Sequence, residues 1–241
     1  MEKSIYSSGE YITKNHSYHT EDSFFKWSNF KNILKKSNFN FEKIKSILEI
    51  GCGAGQIISN AKKSGLFNNS SYVGYDINPD AIKLAKELDN SIKFINEDFL
   101  KKDDYSSCDL ILAADVFEHI ENSYHFLKKL REKGNFFLFN IPLEISCFSL
   151  IRKKNIFKNS YDGVGHLHFY NKETALITLN HCGYEVINFK YAKNRFHEIK
   201  NKKDILRFFA FFPQYFLDKF SEDFASSIFG GYSLVVLAKK N

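Results

Sequence analysis

Residues 47–57 read Ile-Leu-Glu-Ile-Gly-Cys-Gly-Ala-Gly-Gln-Ile, a short apolar run that ends in a glycine-rich turn. An apolar run of this length beside glycines is typical of a parallel strand covered on both faces. Because Gly51, Gly53 and Gly55 lack Cβ atoms, a ligand can approach the main chain and the N–H groups that open the next helix. The stretch therefore predicts a strand, a ligand-binding turn and a helix, which is the start of an α/β sheet.

The spacing within the turn distinguishes between ligands. A dinucleotide site uses G-x-G-x-x-G, with the pyrophosphate on the helix N-terminus, whereas Gln56 stands at the position of that last glycine. The pattern is instead E-x-G-x-G-x-G, which begins at Glu49. A carboxylate there repels a pyrophosphate but suits a ligand with positive charge. The turn alone also leaves a purely structural role open.

Acidic residues follow the next two predicted strands. The strand at 71–75 ends in Asp76, and the strand at 92–95 is followed by Asp98 and Phe99. A carboxylate accepts hydrogen bonds at both oxygens, so Asp76 can take both hydroxyls of a ribose, while Asp98 can accept from an adenine amino group with Phe99 packed on the ring. The alternatives are a helix N-cap for Asp76 and a charged turn residue for Asp98.

A fourth predicted strand, residues 109–113, opens into Ala114-Asp115-Val116-Phe117-Glu118-His119-Ile120. Further along, Gly165-His166-Leu167-His168-Phe169-Tyr170-Asn171 precedes a helical stretch. Predicted strands at 135–141, 186–191 and 233–238 complete the sheet.

With these motifs the chain resembles the class I S-adenosylmethionine-dependent methyltransferases. It is most similar to small-molecule O-methyltransferases of the ubiquinone-biosynthesis type, which carry E-x-G-C-G-x-G and D-V-x-E-H-I signatures. The resemblance implies an α/β fold with a Rossmann-like, seven-stranded, mostly parallel sheet, helices on both faces and an antiparallel last strand. We expect residues 1–241 to form a single domain.

The resemblance also implies a set of contacts for S-adenosylmethionine, whose product is S-adenosylhomocysteine. The expected cofactor residues are Glu49, Gly51, Cys52, Gly53 and Gly55 on the methionine side, Asp76 and Ile77 at the ribose, Asp98 and Phe99 at the adenine, and Ala114 through its backbone.

Histidines are the candidate catalytic residues. The unperturbed pKa of histidine, near 6.5, suits a base at neutral pH, and His119, His166 and His168 are the candidates. A structural role for each of them stays open. If a helical turn begins at Asp115, then Asp115, Glu118 and His119 share one face. The resemblance implies that magnesium can bind there, but we assign no metal ligand.

Three segments surround the predicted site. Residues 1–40, with Tyr11, His16 and His19, form an expected cap over the cofactor, and residues 143–170 and 200–230 are expected acceptor-side insertions. Basic clusters at 152–154, with Lys158, and at 200–203 could attract phosphate. Aromatic residues crowd 204–229: Phe208, Phe209, Phe211, Phe212, Tyr215, Phe216, Phe220, Phe224 and Phe229. Their helical spacing is most typical of packing against the domain; a homodimer face, an acceptor lid and membrane-surface binding are the other interpretations.

Composition limits the cellular context. The net charge of +6 is spread over scattered pairs of lysines. The [DN]-P-P-[YF] motif that grips a flipped base is absent after the fourth predicted strand, which argues against a nucleic-acid substrate. The four cysteines show no C-x-x-C pairing, and no apolar run approaches the ~18 residues of a membrane helix. We expect reduced, mostly buried cysteines and a cytoplasmic bacterial protein.

The predicted function is O-methylation of a small polar metabolite. The basic clusters, which could attract phosphate, favour a nucleotide-activated sugar or a phosphoramidate precursor of a bacterial surface polysaccharide, as in capsule biosynthesis. The alternatives are a quinone-precursor O-methyltransferase, an RNA methyltransferase and a non-catalytic cofactor-binding subunit.

Overall fold

Seven strands form one sheet in a computed structural model that describes residues 20–67, 69–101, 107–151, 155–194 and 212–241. The strands are β1 Ser46–Ile50, β2 Ser71–Asp76, β3 Lys93–Asn96, β4 Cys108–Ala114, β5 Gly134–Leu143, β6 Tyr184–Ala192 and β7 Tyr232–Lys240. Their order is β3-β2-β1-β4-β5-β7-β6. The strands from β3 to β5 pair in parallel, and β7 runs antiparallel to β5 and β6. The predicted fold class is confirmed.

Helices follow the strands, as the α/β pattern predicts. The α-helices are α1 Thr20–Lys36, α2 Gln56–Lys63, α3 Pro79–Leu88, α4 Ser123–Glu132, α5 Cys147–Ile151, α6 Ile156–Val164, α7 Lys172–His181, α8 Phe212–Phe220 and α9 Glu222–Phe229. Helix α3 shows the local cause, because the side chain of Asn78 caps its first N–H groups and Pro79 fits the first turn. Among the described helices, none has the length and apolar character needed to cross a membrane.

The core consists of two hydrophobic clusters on opposite faces of the sheet. Side chains alternate between the faces along β4, since Leu110 and Leu112 belong to one cluster and Ile111 and Ala113 to the other. Helix α1 contributes its apolar stripe to the cluster of Leu110. Both faces of the central strands are therefore covered, which is why these strands are apolar along their length.

The glycine turn lies where the strand order reverses. Strands β1 and β4 are neighbours, and the chain proceeds from β1 toward one edge of the sheet and from β4 toward the other, which opens a crevice at their carboxyl ends. Gly51 has φ +65°, and a Cβ there would lie 2.8 Å from Val116 Cγ2. Gly55 has φ +78°, and its Cβ would lie 2.6 Å from Phe94 Cζ. Both the backbone and the packing therefore require glycine at these positions.

Candidate active site

A cavity of about 830 Å³ fills the crevice at the carboxyl ends of the parallel strands. Helix α1, the glycine turn, the segments after β2, β3 and β4 and the loop at His166 contribute to its wall. Most of the predicted cofactor residues line it: Glu49, Gly51, Cys52, Gly53, Asp76, Ile77, Asp98, Phe99 and Ala114. Gly55 is not on this wall, because it lies against Phe94 behind the turn.

Asp76 connects the end of β2 to the glycine turn. Its Oδ2 accepts from the Gly53 N–H at 2.8 Å, and its Oδ1 accepts from the Asn78 N–H at 2.8 Å. Burial raises the pKa of Asp76, and the backbone hydrogen bonds oppose that rise. Each carboxylate oxygen accepts more than one hydrogen bond, so both oxygens can also take a ligand hydroxyl in the cavity.

Glu49 lies beneath the turn with 1% of its surface exposed. Its Oε2 accepts from the Ile58 N–H at 3.0 Å, in the first turns of α2. Burial raises its pKa to about 8, against the opposing effects of that hydrogen bond and of Lys26. At neutral pH the carboxyl group is therefore mostly protonated in the protein without a ligand.

The predicted adenine contacts occupy different depths. Asp98 accepts from the Leu100 N–H at 3.1 Å, which fixes the turn after β3. Phe99 is 1% exposed and packs against Tyr75 with ring centroids 5.0 Å apart. Phe99 is thus mainly a core residue that borders the cavity. The predicted ribose-side residue Ile77 is 53% exposed and lies at the rim of the cavity.

An ion pair that the sequence did not predict crosses the cavity wall. Lys26 Nζ of α1 lies 2.6 Å from Asp115 Oδ2, and Asn140 Nδ2 donates to Asp115 Oδ1 at 2.7 Å. Burial disfavours the charge on Asp115, but Lys26 and Asn140 outweigh it and lower the pKa of this carboxyl. Asp115 has φ +54° and precedes a 3-10 turn at Phe117–His119. The condition under which Asp115, Glu118 and His119 would share one helical face, a helical turn that begins at Asp115, is therefore not met.

Glu118, His119 and His166 converge beside this ion pair, with ligand atoms within 4.8 Å of one another. The rings of His119 and His166 meet edge to face at 4.7 Å. Glu118 is fully buried, and burial together with the charge of Asp115 raises its pKa. Burial and His166 lower the pKa of His119 to about 4. His119 is therefore a neutral and weak base at neutral pH, contrary to the expectation of an unperturbed imidazole.

The magnesium set implied by the resemblance does not fit this arrangement. Asp115, its first member, has its carboxylate oxygens engaged by Lys26 and Asn140. The third side chain that converges with Glu118 and His119 is His166. Magnesium prefers oxygen ligands in octahedral geometry, and two imidazoles do not supply them.

The loop at 165–168 separates the two remaining candidate histidines. His166 Nδ1 lies 2.8 Å from Glu144 Oε2, and the hydroxyl of Ser160 donates to Glu144 Oε1 at 2.5 Å. His168 Nε2 instead lies 2.9 Å from the Ile120 carbonyl oxygen and does not line the cavity. The structure thus brings His166 to the site and holds His168 against the backbone. Glu144 was missed, although it follows the carboxyl end of β5, the same signal that identified Asp76.

The aromatic segment differs from the expected packing. In α8 and α9 the exposed aromatic side chains are Phe212, Phe216, Phe220 and Phe224, and each of them is more than half exposed. The buried residues of α8 are Gln214 and Asp218. The prediction that this stripe packs against the domain is wrong for these side chains.

Several predicted features fall outside the described residues. These are the leader with Tyr11, His16 and His19, the basic clusters at 152–154 and 200–203, and Phe208, Phe209 and Phe211. Lys158 is described, and it pairs with Asp162 on α6. Of the cysteines, Cys52, Cys108 and Cys182 are buried and Cys147 is exposed.

Residues 27–188 match a family described as a methyltransferase domain. The chain belongs to this family. The match spans the strands from β1 to β5, the glycine turn and the histidine loop, and it ends within β6. It confirms the predicted class I S-adenosylmethionine-dependent methyltransferase superfamily. S-adenosylmethionine is accordingly the cofactor of this family member, and the cavity at the glycine turn is its candidate site.

Two curated relatives carry more specific names. A ubiquinone biosynthesis O-methyltransferase of Rickettsia bellii is 29% identical over 111 residues, which cover 40% of this chain and 46% of the relative. A malonyl-[acyl-carrier protein] O-methyltransferase of Ilyobacter polytropus is 34% identical over 105 residues, 41% of this chain and 40% of the relative. The matched region thus spans less than half the length of either relative.

A solved structure shares the fold over most of its length. Magnesium protoporphyrin IX methyltransferase of Synechocystis, solved with bound S-adenosylhomocysteine, superposes with a TM-score of 0.59 at 12% identity. The superposition covers 98% of this chain and 96% of that protein. At this identity the likeness concerns the fold alone.

Proposed function

We propose that this methyltransferase moves the methyl group of S-adenosylmethionine to a hydroxyl group of a small polar molecule. The observation that carries the proposal is the common cavity. One space joins Gly53 and Asp76 at the glycine turn to His119 and His166 on the opposite wall. Donor and acceptor can therefore meet in one site, and methyl transfer depends mainly on their alignment.

The proposed cofactor contacts follow from the charges and donors on the wall. Asp76 takes the ribose hydroxyls, because both of its oxygens are held in place by backbone N–H groups. Glu49 provides the negative charge near the methionine end, which carries an ammonium and a sulfonium. The open backbone from Gly51 to Gly53 lets the ligand approach the main chain, and Asp98 serves the adenine.

On the acceptor side, we propose that the cluster of Glu118, His119 and His166 receives the hydroxyl and promotes loss of its proton. Two of these side chains line the cavity directly. Both curated relatives are named O-methyltransferases, which supports a hydroxyl or carboxyl oxygen as the accepting atom. A smaller cavity of about 310 Å³ shares Pro142 and Asn194 with the large one and includes Glu144. It offers additional room for the acceptor.

The pKa of Glu49 predicts a proton-linked affinity. Below pH 8 the buried carboxyl is protonated without ligand, and a cationic ligand favours its ionised form. Cofactor binding at pH 6.5 should therefore release about one proton, and affinity should rise by up to about tenfold between pH 6 and pH 7. Calorimetry in buffers of different ionisation enthalpy measures this release.

The Glu49→Gln variant is the control for that measurement, because the amide oxygen can still accept from Ile58. It should bind more weakly and without proton release. The interval from pH 6 to 7 is chosen because the ligand's own ammonium, with a pKa of ~7.7–8.0, stays charged there. Equal proton release by the variant and the parent protein would show that Glu49 is not the group that loses the proton, and would contradict its proposed role at the cofactor.

The acceptor can be identified by transfer of a radiolabelled methyl group. We expect label to enter a hydroxyl compound among nucleotide-activated sugars, phosphoramidate precursors and other surface-polysaccharide intermediates. The Asp76→Asn protein serves as the background control. Binding of S-adenosylhomocysteine without transfer to any acceptor in such a panel or in cell extracts would instead support a non-catalytic cofactor-binding subunit.

A quinone precursor is the second candidate acceptor. The Rickettsia relative is named for ubiquinone biosynthesis, and the exposed aromatic side chains of α8 offer apolar surface to a lipophilic substrate. Methyl transfer to a catechol with an isoprenoid chain, but not to polar sugars, would favour this candidate. A cytoplasmic location and a homodimer through residues 204–229 remain predictions.

A further inference from the structure

We infer that Glu118, His119 and His166 form a binding site for a first-row transition-metal ion of the Zn²⁺ type, and not for magnesium. Their ligand atoms lie within 4.8 Å of one another, a spacing that one ion can bridge after small side-chain adjustments. A carboxylate with two imidazoles is a ligand set that proteins use for zinc and iron. Magnesium instead binds through oxygen atoms and retains several waters.

The carboxyl group of Glu118 gives independent support. The residue is 0% exposed, and neither Oε1 nor Oε2 has a hydrogen-bond partner in the described structure. Buried polar atoms in proteins are almost always hydrogen-bonded, and an exception requires an explanation, such as an ion. A cation between Glu118 and the two imidazoles would supply the missing partner.

Both histidines are oriented in the way that metal ligands usually are. Nδ1 of His119 lies 3.2 Å from the Gly165 carbonyl oxygen, which can only accept, so Nδ1 carries the hydrogen. Nδ1 of His166 lies 2.8 Å from Glu144 Oε2, and Ser160 fixes that carboxylate from the other side. A histidine that donates one N–H to a carbonyl or carboxylate and binds the ion through its other nitrogen is the usual arrangement. We therefore assign Nε2 of each ring as the ligand atom.

The site has access to the cavity through its histidines. His119 and His166 line the cavity wall, while Glu118 lies behind them. An ion there would be open to a small ligand on the cavity side, as in catalytic rather than structural zinc sites. If the proposed function is right, that ligand is the acceptor oxygen, and a bound cation lowers the pKa of such an oxygen.

The test measures metal binding alone, without cofactor or acceptor. Untagged full-length protein is stripped with a chelator and titrated with Co²⁺, whose visible absorption reports nitrogen and oxygen ligands, and with Zn²⁺ in competition. We expect one ion per chain. Glu118→Gln and His166→Ala should each weaken binding by at least about 100-fold, and Glu144→Gln by about 10- to 100-fold, because it acts through His166. Excess Mg²⁺ should not displace the cobalt.

Matched controls are available at exposed positions elsewhere in the chain. Glu121→Gln and His181→Ala remove the same groups from exposed positions outside the cluster, and both should bind like the parent protein. Thermal unfolding shows whether each variant is folded. If Glu118→Gln does not fold, the metal affinity of His166→Ala alone tests the inference. Absence of binding by the parent protein, binding that survives in both cluster variants, equal loss in the controls, or displacement by Mg²⁺ would each overturn the inference. Methyl transfer without metal binding would overturn it too, yet leave the proposed function standing.

Discussion

Asp76→Asn should weaken S-adenosylhomocysteine binding by about 10²- to 10³-fold. The carboxylate holds the Gly53 and Asn78 N–H groups, one at each oxygen, and is placed to accept the ribose hydroxyls as well. Hydrogen bonds to a charged group contribute about 1.5–3 kcal/mol each. Because asparagine keeps one acceptor oxygen, we expect a loss at the lower end for the two bonds, about 3–4 kcal/mol, which corresponds to this change in affinity. An asparagine has only one oxygen, so it also leaves one of the two backbone donors facing an amide. Isothermal calorimetry measures the change directly.

The exposed Asp80 provides the matched control. Asp80→Asn removes the same charge from the first turn of α3, four residues along the chain and outside the cavity wall, and should leave affinity within about twofold. Thermal unfolding of both variants separates a lost contact from a lost fold. Asp76→Asn protein that is folded and binds with parental affinity would contradict the proposed ribose contact.

The strands and the residues that line the cavity beside the glycine turn were predictable because their signals are local. A strand buried on both faces must be apolar along its length, as Ile47, Leu48 and Ile50 are. The residue that follows such a strand then lies at the open edge of the sheet. The positions of Asp76 and of Glu49 within β1 could therefore be predicted without information from distant parts of the chain. The glycine conformations in the turn are equally local.

The ion pairs and the orientation of α8 were not predictable, because they depend on distant partners. Nothing around Lys26 in the sequence indicates that it meets Asp115. In α8, Gln214 donates to the Gly230 carbonyl oxygen at 3.0 Å, and Asp218 accepts from Tyr232 at 2.8 Å. Hydrogen-bonded polar side chains can thus occupy the buried face, and the phenylalanines then face outward. The expectation that the apolar face of a helix is buried therefore fails where the fold supplies hydrogen-bond partners for the polar face.

The histidines illustrate the same limit at the site itself. Sequence motifs identified His119, His166 and His168 equally well, but only the fold distinguishes them. His168 meets the Ile120 carbonyl, whereas Glu144 directs His166 toward His119. Burial also changes the chemistry of His119, because a pKa of about 4 makes it a poorer proton acceptor than a solvated histidine.

His119→Asn should lower the turnover number by about 10²- to 10⁴-fold, the range for loss of a group that assists proton removal. Asparagine is the informative replacement, because its side-chain N–H₂ can keep the hydrogen bond to the Gly165 carbonyl while Nε2 is lost. Affinity for S-adenosylhomocysteine should change by no more than about twofold, since His119 lies on the wall that we propose for the acceptor. Turnover is measured with saturating radiolabelled cofactor and the acceptor found in the screen.

His181→Ala is the control for the loss of an imidazole. His181 is exposed at the end of α7, where its ring packs against the ring of Tyr124. It should turn over at the parental rate. A drop in turnover together with an equal drop in cofactor affinity would mean that His119 supports the donor site instead. Parental turnover in His119→Asn would transfer the acceptor role to His166, whose ring is the other member of the pair on that wall. Asp76→Asn and His119→Asn thus test the proposed donor half and the proposed acceptor half of the cavity separately.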